Sequence, residues 1–152
     1  MKNLKLLSLT VLAIVAFMIS SCDPDEPEEV YVVPFTISDI VTDASGSAND
    51  NEIVTTFKVT NNTGEALTLR WVRDNVSFPT GWESAICDHL LCYDRELSEN
   101  NLELDANATV EIKFNFYPES VDGTGTVDLE VYDPVNRTES TETISFSATA
   151  RP

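Results

Sequence analysis

The chain reads as an antiparallel β-sandwich, and three observations carry that reading. From Val30 onward apolar residues recur with period two, and no stretch holds a helical period. About seven short alternating runs, each bounded by turn-forming residues, fill a stretch of ~120 residues. One side of each run is polar, the pattern of antiparallel strands with one face in a core and the other in water.

Taken in order, residues 30–41 are rich in β-branched and aromatic side chains, and Pro34 marks an edge strand or a bulge. Asp43–Asn51, small and polar, reads as a loop. Ile53, Thr55, Phe57 and Val59 share one face of the next strand, and Asn61-Asn62-Thr63-Gly64 ends it in a turn. Leu67, Leu69 and Trp71 form the following apolar face, so Trp71 belongs to the core. Alternation then breaks from Asp74 to Asn101, a stretch that holds Pro79, Gly81 and two cysteines. It resumes at Leu102 and Leu104 and turns at Asp105–Ala108. Val110, Ile112, Phe114 and Phe116 make the clearest buried face. Pro118–Gly125 is the next loop, followed by a strand carrying Val127, Leu129 and Val131. Pro134–Ser140 separates it from a last strand carrying Ile144, Phe146 and Ala148. Strand number, domain size and turn spacing together point to a sandwich of immunoglobulin-like kind. A barrel is the main alternative, and no internal repeat stands out.

Phe57-Lys58-Val59-Thr60-Asn61-Asn62-Thr63-Gly64 is similar to the strand and turn F-x-V-x-N-x-T/S-G of Ig-like domains in bacterial surface proteins, among them the hydin and abnormal-spindle type. In those domains an alternating strand ends in aromatic-x-Pro, as Val110–Phe116-Tyr117-Pro118 does, and a glycine-containing loop and another strand follow. The likeness covers roughly residues 50–133. It implies an Ig-like sandwich used for adhesion or assembly, and it carries over no catalytic residue. The stretch 74–101 departs from that pattern.

The N-terminus says where such a domain would sit. Lys2 and Lys5 precede an apolar run, Leu6–Ile19, which is the layout of a secretory signal. Ile19-Ser20-Ser21-Cys22 resembles the lipobox of bacterial lipoproteins, in which the cysteine takes a diacylglycerol and the peptide is cut before it. The resemblance divides the chain into a signal peptide at 1–21, a lipidated Cys22 with an acidic, proline-containing tether at 22–29, and a domain at 30–152. The apolar run is about 14 residues, short of the roughly 20 that cross a bilayer. Attachment therefore rests on the acyl chains, and two or more of them hold stably where one does not. Asp23–Glu29 contains five carboxylates and two prolines, a composition that stays extended and solvated. Acid-rich runs directly after the lipid cysteine also resemble surface-export signals of some Gram-negative lipoproteins, which implies an outer-membrane protein facing the cell exterior.

Charge excludes some partners. The chain has 26 acidic against 9 basic residues, a net −17, and loss of Lys2 and Lys5 with the signal makes it −19. Such a surface repels nucleic acid and anionic headgroups. With Cys22 assigned to lipid, Cys87 and Cys92 remain as a pair in an oxidising compartment, and a disulfide pinning the long loop is the simplest reading. A ring that small contributes about 2 kcal/mol in the loop-entropy account. The competing use of Cys87, His89 and Cys92 as metal ligands lacks a fourth ligand for zinc, and with His89 the only histidine it lacks the second histidine of blue copper. A redox role is weakened by a spacing wider than C-x-x-C. Asp39, Asp43, Asp50, Asp122 and Asp133 border loops whose oxygens are of the kind that bind calcium, but none has EF-hand spacing. Asn-x-Ser/Thr sites begin at Asn61, Asn75, Asn107 and Asn136 and read as incidental to threonine-rich turns.

Phe78, Trp82 and Tyr93 flank the irregular stretch, where each either fills the space under the loop or stacks on a ligand. Together with His89 they are the candidate contact residues. No nucleophile elbow, phosphate loop or H-E-x-x-H occurs, so no enzyme and no cofactor is expected. The expectation is a lipid-anchored envelope module that binds a protein or glycan, for adhesion or as an accessory of an outer-membrane assembly, through the 74–101 stretch. The alternatives are a periplasmic metal or redox accessory using Cys87, His89 and Cys92, and a structural spacer.

Overall fold

A computed structural model describes residues 32–152, so the signal stretch, Cys22 and the acidic run at 23–29 lie outside the described residues. Nine strands follow one another without a helix among the described residues: β1 (Phe35–Val41), β2 (Asp43–Ser47), β3 (Ile53–Asn61), β4 (Leu67–Ser77), β5 (Glu83–Cys87), β6 (Glu99–Leu104), β7 (Thr109–Tyr117), β8 (Gly123–Tyr132) and β9 (Thr141–Arg151). They form two sheets, ordered β1-β3-β7-β5 and β2-β9-β8-β4-β6. The protein is an immunoglobulin-like β-sandwich.

Alternation is realised most fully in β3, where every second residue from Ile53 to Asn61 is buried. Its partner β7 places Ile112, Phe114 and Phe116 on the same inner face. Phe146 of β9 enters from the opposite sheet, 5.6 Å from the ring of Phe57 and 5.6 Å from that of Phe114, which it stacks against at 15°. These three rings join the sheets near the middle of the sandwich. Offset aromatic contacts of this kind add to what burial alone contributes. Trp71 is in the core, as its strand position predicts.

Two elements differ from the sequence expectation. Asp43–Ser47 is a strand rather than a loop: after the bulge at Asp39 (φ 49°) the chain leaves sheet one and pairs parallel with the end of β9, Asp43 beside Ser147 and Ser47 beside Arg151. Its sequence, Asp-Ala-Ser-Gly-Ser, has low strand propensity, and the pairing available at a sheet edge overrides it. The irregular stretch 74–101 likewise contains the end of β4, the whole of β5 and the start of β6. Strand β5 is the edge of sheet one and adds to β7, so the stretch is part of the sandwich rather than an excursion from it.

Gly125, expected in a loop, lies inside β8. A Cβ there would stand 2.9 Å from the Phe78 ring and 2.9 Å from Trp82, so only glycine lets those rings close against the strand.

At the motif turn Asn61 is 1% exposed and fully used. Its amide donates to the carbonyls of Glu65 (2.7 Å) and Asp105 (2.9 Å), and its oxygen accepts from the Thr63 amide and hydroxyl at 2.9 and 2.8 Å. One side chain thus ties the β3–β4 turn to the β6–β7 turn.

Candidate functional site

The most distinctive surface feature grows from the end of β5. Cys87 and Cys92 face each other across an antiparallel bridge and are joined by a disulfide, with Cα atoms 3.8 Å apart. The bridge closes the base of a short hairpin. Its backbone is tied by Asp88 N donating to Leu91 O (3.0 Å) and Tyr93 N to Ile86 O (2.8 Å). The Asp88 carboxylate does the rest, because one oxygen accepts from the amides of Leu90 (2.7 Å) and Leu91 (3.0 Å) and the other from the Tyr93 hydroxyl. An aspartate that captures amides two and three residues on is the side-chain substitute for a backbone turn. The hairpin therefore holds its shape at both ends and presents His89, Leu90 and Leu91 outward. Leu90 is 65% and Leu91 51% exposed.

Behind the hairpin, Tyr93 packs on Trp71 with ring centres 5.4 Å apart. Burial, then the hydrogen bond to Asp88 and the charge of that carboxylate, push the Tyr93 phenol well above its ordinary range. The returning segment is fixed by Arg73 of β4. Its guanidinium donates to the Ser84 carbonyl and hydroxyl (2.8 and 2.9 Å), to the Arg95 carbonyl (2.8 Å) and to the Leu97 carbonyl. Burial pulls the pKa of this guanidinium down and the charge of Asp94 pushes it back up. Arg95 in turn pairs with Glu83 and Glu119 and lies 3.8 Å over the Tyr117 ring.

The four candidate contact residues do not converge. Trp82 is only 6% exposed and donates its indole N–H to the Val121 carbonyl at 2.9 Å. Phe78 packs beside it and against Phe116, ring centres 5.8 Å apart. These two rings belong to the core at the start of β5. His89 lies beyond the other end of that five-residue strand, roughly 17 Å away at strand rise, and Tyr93 lies alongside its last residues, its amide on the Ile86 carbonyl. Only His89 is fully at the surface. Sequence reading missed Arg73 and Asp88, and the aspartate following Cys87 was the signal that a capped turn began there.

With both sulfurs bonded to each other, the trio Cys87, His89 and Cys92 offers a metal only one imidazole. Among the described residues no group of three or more histidine, cysteine or acidic side chains is placed to hold an ion. The loop carboxylates are engaged separately. Asp39 pairs with Lys58 (2.7 Å), Asp43 accepts from the Thr42 hydroxyl (2.9 Å), Asp50 from the Ser47 amide (2.7 Å) and Asp133 from the Val135 amide (2.8 Å).

No protein-family model and no curated protein matches the chain. Solved structures do, at the level of fold. The N-terminal domain of PorA is similar with a TM-score of 0.54 at 11% identity, over 77% of this chain and 97% of that one. A family 123 glycoside hydrolase from Clostridium perfringens is similar with a TM-score of 0.52 at 10% identity, over 78% of this chain, which spans 27% of the hydrolase. The PapD-like domain 7 of human CEP192 gives a TM-score of 0.41 at 11% identity, covering 88% of this chain and 96% of its own. At such identities the two likenesses with TM-scores above 0.5 speak for a shared sandwich architecture and for nothing finer.

Proposed function

We propose that this chain is a lipid-anchored envelope protein, held in the outer membrane through Cys22, whose sandwich works by binding a partner at the cell surface. One observation carries the binding reading: a hairpin closed by a disulfide, braced by Asp88 and Tyr93, that exposes two adjacent leucines at its tip. Apolar side chains held in a fixed geometry cost little ordering on association, and this is how small rigid tips gain affinity. The chain's net charge of −17 disfavours an anionic membrane as the target, so a protein partner fits better. The lipobox resemblance and the acidic run after Cys22 support the placement.

A photoreactive amino acid at Leu90 in living cells tests the proposal, with the same group at the still more exposed Val135 as control. Crosslinks specific to position 90, lost in a Leu91→Asp background, are the expected result. Equal crosslinking at both positions would mean that the hairpin contacts nothing specific and that the chain is a spacer. Protease treatment of intact cells reads out placement independently: cleavage of the domain is expected, and protection until the envelope is opened would put the partner in the periplasm.

A further inference from the structure

The opposite edge of the sandwich is incomplete. In sheet two, β2 covers only Ser147–Arg151 of β9, leaving Thr141–Phe146 without a strand neighbour on that side among the described residues. The last bond of the covered part is Ser147 N to Thr42 O, 2.8 Å. Since every second residue of a strand turns its N–H and C=O to the same side, Thr143 and Ser145 direct theirs into the same open space. Strand β1 shows the matching edge of sheet one. Asn62 N donates to Pro34 O, and Phe35 is in register with Asn61, so Thr36 and Ser38 bond to β3 while Phe35 and Ile37 point their backbone groups outward. Between the two edges runs a groove of about 670 Å³, floored by Phe35, Ile37, Ile40 and Ile144. Strand edges are usually closed off by proline, lysine or a bulge. The free half of β9, Thr-Glu-Thr-Ile-Ser-Phe, has none of these.

We propose that this groove accepts an extended segment of another protein, which pairs with Thr143 and Ser145 and continues the row that β2 begins. Charge selects the segment. Glu142 lines the groove and makes no ion pair among the described residues, and Asp43 adjoins the lining residue Thr42. The strand that fits alternates apolar residues, turned to the isoleucine floor, with polar ones; Glu142 shares the face of Ile144, so a lysine or arginine takes the place of the floor-facing residue beside it. A second copy of this chain is disfavoured, because each copy carries a net −17. Main-chain pairing supplies the affinity and the floor and Glu142 the specificity, as in other strand-addition complexes. This site is separate from the disulfide hairpin and its occupancy does not depend on it.

The test is amide hydrogen exchange on the full-length chain in detergent, with the synthetic peptide Val-Thr-Lys-Thr-Val-Thr-Val as probe, its lysine in phase with the floor-facing valines. Saturating peptide is expected to slow exchange at Thr143 and Ser145 by about tenfold or more while leaving Leu90 and Leu91 unchanged. The same peptide with glutamate in place of lysine is expected not to bind, and Glu142→Lys should reverse that preference; Glu142 is exposed, so the variant folds. Unchanged protection of Thr143 and Ser145, or equal binding of the lysine and glutamate peptides, would overturn the proposal. So would protection of both amides without peptide in a chain that sediments as a dimer, which would make the occupant a second copy.

Discussion

Asn61 makes four hydrogen bonds from inside the protein, and nothing of similar size can replace them. Asn61→Ala would leave the Thr63 amide without its acceptor and take one of two donors from the carbonyls of Glu65 and Asp105, which keep the Thr63 hydroxyl and the Ala108 amide; an unsatisfied buried group costs about 1–3 kcal/mol and each lost bond adds to it. A loss of roughly 2–4 kcal/mol in urea unfolding is expected. A loss below about 1 kcal/mol would show that water takes over those partners. Tyr93 makes a different forecast. A phenol whose pKa rises on folding contributes stability that is whole below its unfolded value of 10.0 and declines as pH climbs above it. Unfolding midpoints should therefore fall above pH 10.0, and Tyr93→Phe should flatten that fall. At this scale the sequence was a partial guide. The motif position of Asn61 was visible, but not its bonds to a turn 44 residues away. Trp82 looked like a contact residue because it sits among loop signals, whereas the absence of a side chain at Gly125 is what lets it bury.

Elements with strong alternation were readable: β3, β7, β8 and β9 fall where their apolar residues recur every second position. Strands β2 and β5 were not. The first has no apolar alternation because it is a short edge, and the second carries consecutive buried residues, Ser84-Ala85-Ile86-Cys87, which hide the period. The disulfide hairpin is a local device and should behave as one. Replacing Cys87 and Cys92 by serine should cost about 2 kcal/mol or less. Amide exchange should accelerate between residues 88 and 97 while β3 and β7 stay protected. Uniform acceleration through both sheets would show instead that the disulfide holds the whole fold. Gly125→Ala presses a methyl into the Phe78 and Trp82 rings, and overpacking of that kind costs about 1–3 kcal/mol. A shifted Trp82 fluorescence maximum should accompany the loss.

At the scale of the whole molecule, 26 acidic residues against 9 basic ones set the dominant long-range force. Repulsion among them opposes compaction and is screened within about 8–10 Å at physiological salt. The urea midpoint should therefore rise on adding salt, and a fall would mean that the local ion pairs of Arg95 and Arg137 outweigh the general repulsion. Fold class was legible because alternation over some seven segments is a property of the chain as a whole. The groove between β1 and β9 was not, since it arises from a change of sheet at Thr42 that leaves no mark in the local pattern. The two proposed binding regions lie on opposite edges of the sandwich, so one copy would have room for two partners at once.

Arg73 holds the segment between Tyr93 and Ser98 by main-chain carbonyls, at Arg95 and Leu97, and not by the identity of the side chains there. A clamp of that kind is indifferent to what the clamped residues are. Glu96 could be exchanged widely without the segment losing its path, provided Arg73 and Ser84 stay, whereas the Asp94 carboxylate accepts from the Glu96 amide (2.9 Å) and Arg95 is anchored on Glu83, Glu119 and the Tyr117 ring. That makes Glu96 a practical position at which to vary the surface of the segment in a combinatorial library.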